Sequence, residues 1–302
     1  LYETCLNDLA PAFAGAFFYS QTATCLYLLH NREITIAFYV AGDFQMTLSG
    51  KRAVITGSTS GIGLGIARAM AGAGADIVLN SFTNTDDDHA LATDLSDEFG
   101  ISARYIQANM SNPEHCRSLI EESGNCDILI NNAGIQHVSP IDEFPIDKWN
   151  AIIAINLSSA FHTTAAALPK MRTAGWGRVI NISSAHGLTA SPFKSAYIAA
   201  KHGIIGLTKT TALETAEQPI TANAICPGYV LTPLVEAQIP ATMEKYDMER
   251  DEVIKKVMLE RQPSREFATV EQIGGTCVFL SSPAANQITG TTISVDGGWT
   301  AL

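Results

Sequence analysis

The stretch TGSTSGIG, residues 56–63, decides the fold. It follows the β-branched run Arg52–Thr56 and precedes an amphipathic helical pattern over Gly61–Ala73, so it reads as a strand-to-helix turn. Gly57 permits the turn, Gly61 lets the backbone approach a pyrophosphate, and Gly63 lets the helix pack on the strand. The helix N-terminus then offers free N–H groups and the positive end of its dipole to phosphate oxygens.

Outward from this turn, strand patterns recur at Asp76–Asn80, Arg104–Ala108, Asp127–Asn132, Arg178–Ser183, Thr221–Cys226 and Thr292–Val295. Helical patterns fill the gaps, notably Ile146–Leu168, Ser195–Glu214 and Val270–Ser281. Strands this apolar, alternating with helices, predict an α/β fold: one Rossmann-like, doubly wound parallel sheet with helices on both faces. Nothing divides residues 46–302, which are read as one nucleotide-binding domain. Residues 234–267 interrupt the rhythm after the sixth strand and read as a small helical lid over the substrate. The run Asp86, Asp87, Asp88 reads as a solvated loop tip.

The 302 residues carry a net charge of −11, which argues against a nucleic-acid surface. Cys5, Cys25, Cys116, Cys126, Cys226 and Cys277 form no CxxC pair, in keeping with a reducing, cytoplasmic setting and no structural zinc. Residues 1–45 read as an extension outside the catalytic domain. Leu9–Leu29 is uncharged, yet Pro11, Gly15 and a run of polar residues make it a poor membrane span or signal peptide, and no membrane association is expected.

Further pieces stand in a fixed order: NNAG at 131–134, Asn156 in AINLSSAF, Ser184, YIAAK at 197–201, Pro227-Gly228 with Thr232, and Asp296-Gly-Gly. With TGSTSGIG they resemble the short-chain dehydrogenase/reductase family from about Leu48 to the C-terminus. The resemblance implies a nicotinamide dinucleotide held by Gly57, Thr59, Ser60, Gly61, Ile62, Gly63, Phe82, Asn109, Met110, Asn132, Ala133, Gly134, Tyr197, Lys201, Pro227, Gly228, Val230 and Thr232. NAD is favoured over NADP because Asn80-Ser81-Phe82 offers no cation for a 2′-phosphate, and Asp86–Asp88 would repel one. Asn109 stands where relatives have Asp; its side-chain carbonyl is expected to accept from the adenine amino group. Relatives are usually homotetramers.

Tyr197 and Lys201 lie four apart and so share one helix face. A free phenol has a pKa near 10, so an adjacent ammonium and the positive nicotinamide are together expected to lower it toward the working range. Ser184 can hydrogen-bond the substrate oxygen, and Asn156, by resemblance, holds a water linking Lys201 to solvent. No metal is required, and His89, His115 and His162 lack ligand spacing. The catalytic set is then Asn156, Ser184, Tyr197 and Lys201.

His186 and Lys194 flank this centre in sequence, while Gln136, Gln238 and Trp299 come from the NNAG loop, the lid and the C-terminus. Together they offer a cation, several donors and an aromatic wall, which suits a short hydroxy or keto carboxylate. SSAHGLTASPFKSAYIAAKHG and TANAICPGYVLTPLVEAQI are similar to a group within the family that acts on a short 3-hydroxy acid. That likeness implies carboxylate contacts from Gln136, His186, Lys194 and Gln238, with Trp299 as the wall. Some relatives have Trp where Tyr229 stands. A 3-oxoacyl thioester reductase, a sugar-alcohol dehydrogenase and a silent NAD sensor are the competing readings.

Overall fold

A computed structural model describes residues 23–30, 33–40 and 47–302, with the backbone alone for the first two segments. The chain divides into two compact units, Leu1–Gln45 and Met46–Leu302. In the first, β1 (Ala23–His30) pairs antiparallel with β2 (Glu33–Val40). The Leu9–Leu29 stretch lies outside the described residues up to position 22; its remainder belongs to β1.

The second unit is built on seven parallel strands in the order β5-β4-β3-β6-β7-β8-β9. They are β3 (Arg52–Ile55), β4 (Asp76–Ser81), β5 (Ala103–Gln107), β6 (Ile128–Asn131), β7 (Gly177–Ile182), β8 (Ile220–Pro227) and β9 (Thr292–Val295). Alternation along each strand feeds two cores, because successive side chains point to opposite faces. Ile55, Ile77, Leu79, Ile128 and Ile130 join one; Val54, Val78, Leu129 and Val179 join the other. Helices α1 (Gly61–Gly72) and α2 (Asp86–Phe99) contribute Ile66, Met70 and Leu95 to the first core. Helix α3 (Pro113–Glu122) supplies Cys116, Leu119 and Ile120 to the second.

The predicted Ile146–Leu168 helix is longer than expected and not uniform. It runs as α4 (Ile146–Ile153), a π-helical turn (Ala154–Ser158) and α5 (Ser159–Ala174). Ile146–Ala174 is long and apolar enough to cross a membrane, but it lies against the sheet with Thr163, Ala167 and Met171 buried. Helix α6 (Ser195–Glu214) has the predicted bounds. Between β8 and β9 the chain forms α7 (Pro233–Glu236), α8 (Ile239–Tyr246), α9 (Arg250–Val253), a second π turn (Ile254–Met258) and α10 (Val270–Ser281), the last also as predicted.

Asp86–Asp88 are not a loop tip. They form the first turn of α2, where negative charge meets the positive end of the helix dipole. Thr85 and Asp88 make a reciprocal capping box, which buries the Asp88 side chain and lowers its pKa through the Thr85 backbone bond.

Helices α1 and α10 approach backbone to backbone. A methyl on Gly274 would lie 2.5 Å from Ala69 Cβ and 3.0 Å from Gly65 O, whereas one on Gly72 would meet the Phe99 ring at an ordinary 3.5 Å. Gly274→Ala is therefore expected to lower unfolding free energy by about 1–3 kcal/mol. Gly72→Ala should leave it unchanged or raise it by up to about 1 kcal/mol. Denaturant melts of the two variants check the contrast, and equal midpoints would contradict it.

Candidate active site

The loop after β3 and the loop after β6 are laced together. Thr56 Oγ1 accepts from the backbone N–H groups of Asn132 and Ala133, each at 3.0 Å. The Asn132 amide donates back to Thr56 O at 3.0 Å and Gly57 O at 2.8 Å. A side chain at Gly63 would strike Gly57 O at 2.2 Å and Asn132 Nδ2 at 2.5 Å, so only glycine fits there. Asn80, fully buried, fixes the same loop from β4: its Oδ1 accepts from Gly57 N at 3.3 Å, and its amide donates to Ile106 O and Ala108 O, each at 3.1 Å. Asn80 as organiser of the loop was not foreseen, since its three partners come from other strands and turns.

The cradle fits a dinucleotide phosphate. Helix α1 has no acidic residue in its first turn, and its N-cap Ser60 makes no side-chain capping bond, which leaves N–H groups for a ligand. Thr59, Ser60, Gly61 and Ile62 lie along this edge with partial or full exposure. Thr232 faces Gly61, with its methyl 3.7 Å from where a Gly61 Cβ would sit. Phe82 stands 71% exposed at the end of β4, with no basic neighbour in Asn80-Ser81-Phe82. Val230 and Met110 turn their side chains into the protein, so any contact from Met110 would be through its backbone. Asn109 differs from expectation: its Oδ1 already accepts from Ser111 N and Ser111 Oγ, both at 2.9 Å, which uses its two lone pairs on its own turn.

Tyr197, Lys201 and Ser184 converge at the end of β7 and the start of α6. Lys201 Nζ donates to Ile182 O at 2.7 Å and lies 5.6 Å from the Tyr197 ring centre. Burial lowers the Lys201 pKa to about 8. The Tyr197 pKa is raised, not lowered: burial outweighs the opposing pull of the Ser184 hydroxyl. The expected depression by Lys201 does not follow from the protein alone, because the ammonium is turned onto a carbonyl and both charged forms lose hydration. Ser184 Oγ accepts from His186 N at 3.1 Å, and its hydroxyl proton bears on the Tyr197 phenol. Asn156, on the π turn, bridges Ile135 with both amide ends, at 2.9 Å each, beside Gly134. Its side chain is thus spent on the loop after β6. Among the described residues no three His, Cys, Asp or Glu side chains cluster as metal ligands would.

The substrate side is aromatic and cationic. His186, 6% exposed, meets the Trp299 ring edge-on at 5.0 Å and the Tyr197 ring at 6.1 Å, and Tyr229 stacks on Trp299 at 5.8 Å. Lys194, at the N-cap of α6, and Arg261 both bear on His186, while burial and Arg261 lower the Lys194 pKa. Gln136 and Gln238 are exposed, and neither side chain hydrogen-bonds to this group. Pro227 ends β8, and Gly228 follows beside Asp296. Arg261 and Ser191 were not anticipated; they lie far apart in sequence and carry no motif.

A family model described as enoyl-(acyl carrier protein) reductase matches residues 57–300. The D-beta-hydroxybutyrate dehydrogenase of Rhizobium meliloti (strain 1021) is 53% identical over 255 residues, 83% of this chain and 99% of that protein. That of Cupriavidus necator is 52% identical over 258 residues, 84% and 99% respectively. A solved Agrobacterium tumefaciens structure with bound NADP, described provisionally as a 2-deoxy-D-gluconate 3-dehydrogenase, superposes with a TM-score of 0.76. It is 35% identical, and the match covers 86% of this chain and 100% of that one.

Burial, reinforced by Lys194 and Arg261, lowers the His186 pKa to about 4. The unfolded chain, with a histidine near 6.5, binds more protons between those values, so stability falls as pH drops from about 6.5 to 4, by up to about 3 kcal/mol. His186→Gln is expected to flatten this dependence in denaturant melts at pH 4.5 and 7. An unchanged slope would contradict the assignment.

Proposed function

The chain belongs to the short-chain dehydrogenase/reductase family, and on that premise we propose that it oxidises (R)-3-hydroxybutyrate to acetoacetate, reversibly, with NAD. The observation that carries this reading is the packing of His186 against Tyr197 and Trp299, with Lys194 beside it. A carboxylate a few atoms from the carbinol finds donors and positive charge on one side, and the Trp299–Tyr229 stack encloses the short carbon chain. The names of the relatives that are more than half identical support the same substrate.

In this reading Tyr197 takes the alcohol proton, and Ser184, whose hydroxyl bears on the Tyr197 phenol, donates to the substrate oxygen placed between them. Bound in its oxidised form, the nicotinamide supplies the hydride acceptor and a positive charge that favours the phenolate. Lys201, with its pKa near 8, stays largely charged at neutral pH and orients the nicotinamide ribose. A water at Asn156 would meet its main chain, since the side-chain amide is engaged. Gln136 and Gln238 complete the carboxylate contacts from the two flanking loops. Residues 46–302 form the catalytic domain, residues 234–267 its lid, and residues 1–45 an extension with no part in the chemistry.

NAD rather than NADP is supported by the end of β4, where exposed Phe82 and uncharged Ser81 offer no partner to a 2′-phosphate. Assembly as a homotetramer is supported by Phe161 on α5 and Leu213 on α6, 52% and 79% exposed on the two long helices. The buried free thiols of Cys116, Cys126, Cys226 and Cys277 support a cytoplasmic setting. Reduction of an acyl thioester is the second reading, favoured by the description of the matching family model.

A panel of short hydroxy acids and acyl thioesters, followed by NADH absorbance, tests the assignment: (R)-3-hydroxybutyrate should react and its (S) enantiomer should not. Equal rates, or turnover of thioesters alone, would overturn it. Tyr197→Phe should lower kcat by about a thousandfold with the fold intact by circular dichroism. Lys194→Ala should raise KM about tenfold at unchanged NADH affinity. For the cofactor, kcat/KM should favour NAD over NADP by about tenfold or more, with Phe82→Arg narrowing the gap. Equal use of the two by the unaltered enzyme would contradict the assignment.

A further inference from the structure

Arg261 lies in the turn that follows the second π turn, and its Nη1 donates to Ala190 O at 3.0 Å and to Ser191 Oγ at 2.9 Å. Ser191 Oγ stands 2.9 Å from His186 Nε2. A guanidinium can only donate, so it takes one of the two Ser191 lone pairs, and among the described residues His186 Nε2 is the one acceptor within reach of the hydroxyl proton. That arrangement makes Nε2 the acceptor and puts the ring proton of neutral His186 on Nδ1. The turn under Arg261 is tied down by hydrogen bonds on both sides. Neighbouring Gln262, 1% exposed, accepts from Tyr229 N at 3.0 Å, and Arg265 Nη1 caps Leu259 O at 2.7 Å and Lys255 O at 3.0 Å. The Arg261 charge is also felt at Lys194 and Tyr229, on two further sides of the pocket.

We propose that Arg261 is a positioning and specificity residue: through Ser191 it holds His186 as the Nδ1–H tautomer, and with Lys194 it makes the pocket selective for a carboxylate. The chain that leaves β8 thereby contributes to substrate choice at the end where it returns to the sheet. The specificity half of this rests on the hydroxybutyrate reading above; the tautomer half rests on geometry alone.

The test uses the full chain with Arg261→Gln, Arg261→Lys and Ser191→Ala. Imidazole ¹⁵N spectra without substrate should show His186 protonated at Nδ1 in the unaltered protein and shifted toward Nε2–H in Ser191→Ala and Arg261→Gln. A tautomer unchanged in both variants overturns the positioning role. With (R)-3-hydroxybutyrate, Arg261→Gln should raise KM about tenfold while kcat and KM for NAD stay within about threefold, and Arg261→Lys should restore most of the loss. A KM within about twofold of the unaltered value overturns the specificity role. An arginine that only stiffens its turn would lower kcat or the melting point and leave the tautomer in place. If the unaltered protein oxidises no short hydroxy acid, the reading of function falls, and the spectra still decide whether Arg261 sets the histidine.

Discussion

The site depends first on the lacing of the loops after β3 and β6, where Thr56 and Asn132 exchange side-chain and main-chain hydrogen bonds. These loops end adjacent parallel strands, so their backbone polar groups would otherwise lie unpaired at the carboxyl edge of the sheet. Pairing them with each other leaves the α1 N-terminus free for a phosphate. The order continues inward as a buried amide ladder. Thr163 Oγ1 donates to Asn131 Oδ1 at 2.7 Å, the Asn131 amide to Asn181 Oδ1 at 2.8 Å, and the Asn181 amide to Thr208 Oγ1 at 2.8 Å. It crosses β6 and β7 and ends on α6, the helix that carries Tyr197 and Lys201. A fully satisfied network of this kind fixes relative position more than it adds net stability. The loop after β6 and helix α6 are held in one frame by it.

Within that frame, burial sets the protonation states. Lys201 is pulled down, Tyr197 up and His186 down, each by loss of hydration before any charge partner acts. Without ligands the protein therefore favours neutral forms of the tyrosine and the histidine. Negative charge on the phenol has to be stabilised by what binds beside it, and a carboxylate would in turn offset the crowding of Lys194 and Arg261 around His186.

Periodicity and glycine spacing made the sheet, the nucleotide turn and helices such as Ser195–Glu214 legible, because those signals are local and repeat. What escaped was set by partners distant in the chain. Asp86–Asp88 reads as a polar loop until Thr85 is seen to cap Asp88 reciprocally, a pattern the composition of the run obscured. The π turn at Ala154–Ser158 has no residue signature of its own; it coincides with the point where Asn156 turns inward to Ile135. The rise in the Tyr197 pKa escaped because helix spacing places Lys201 near the ring but says nothing of the carbonyl it faces. Arg261 and Ser191 are ordinary surface residue types, and only the return of the chain beside the His186 loop brings them together.

That return also ties together the two ends of the segment between β8 and α10. Its neck is closed by a parallel bridge between Val230 and Ala268, with Leu231 N donating to Ala268 O at 3.0 Å and Ala268 N to Tyr229 O at 2.9 Å. Gln262 adds a buried side-chain bond across the same neck to Tyr229 N. The helices from Pro233 to Met258 thus form an excursion whose departure and return are pinned side by side. Tyr229, at the pinned end, stacks on Trp299, so the aromatic wall is built at the neck and outside the excursion.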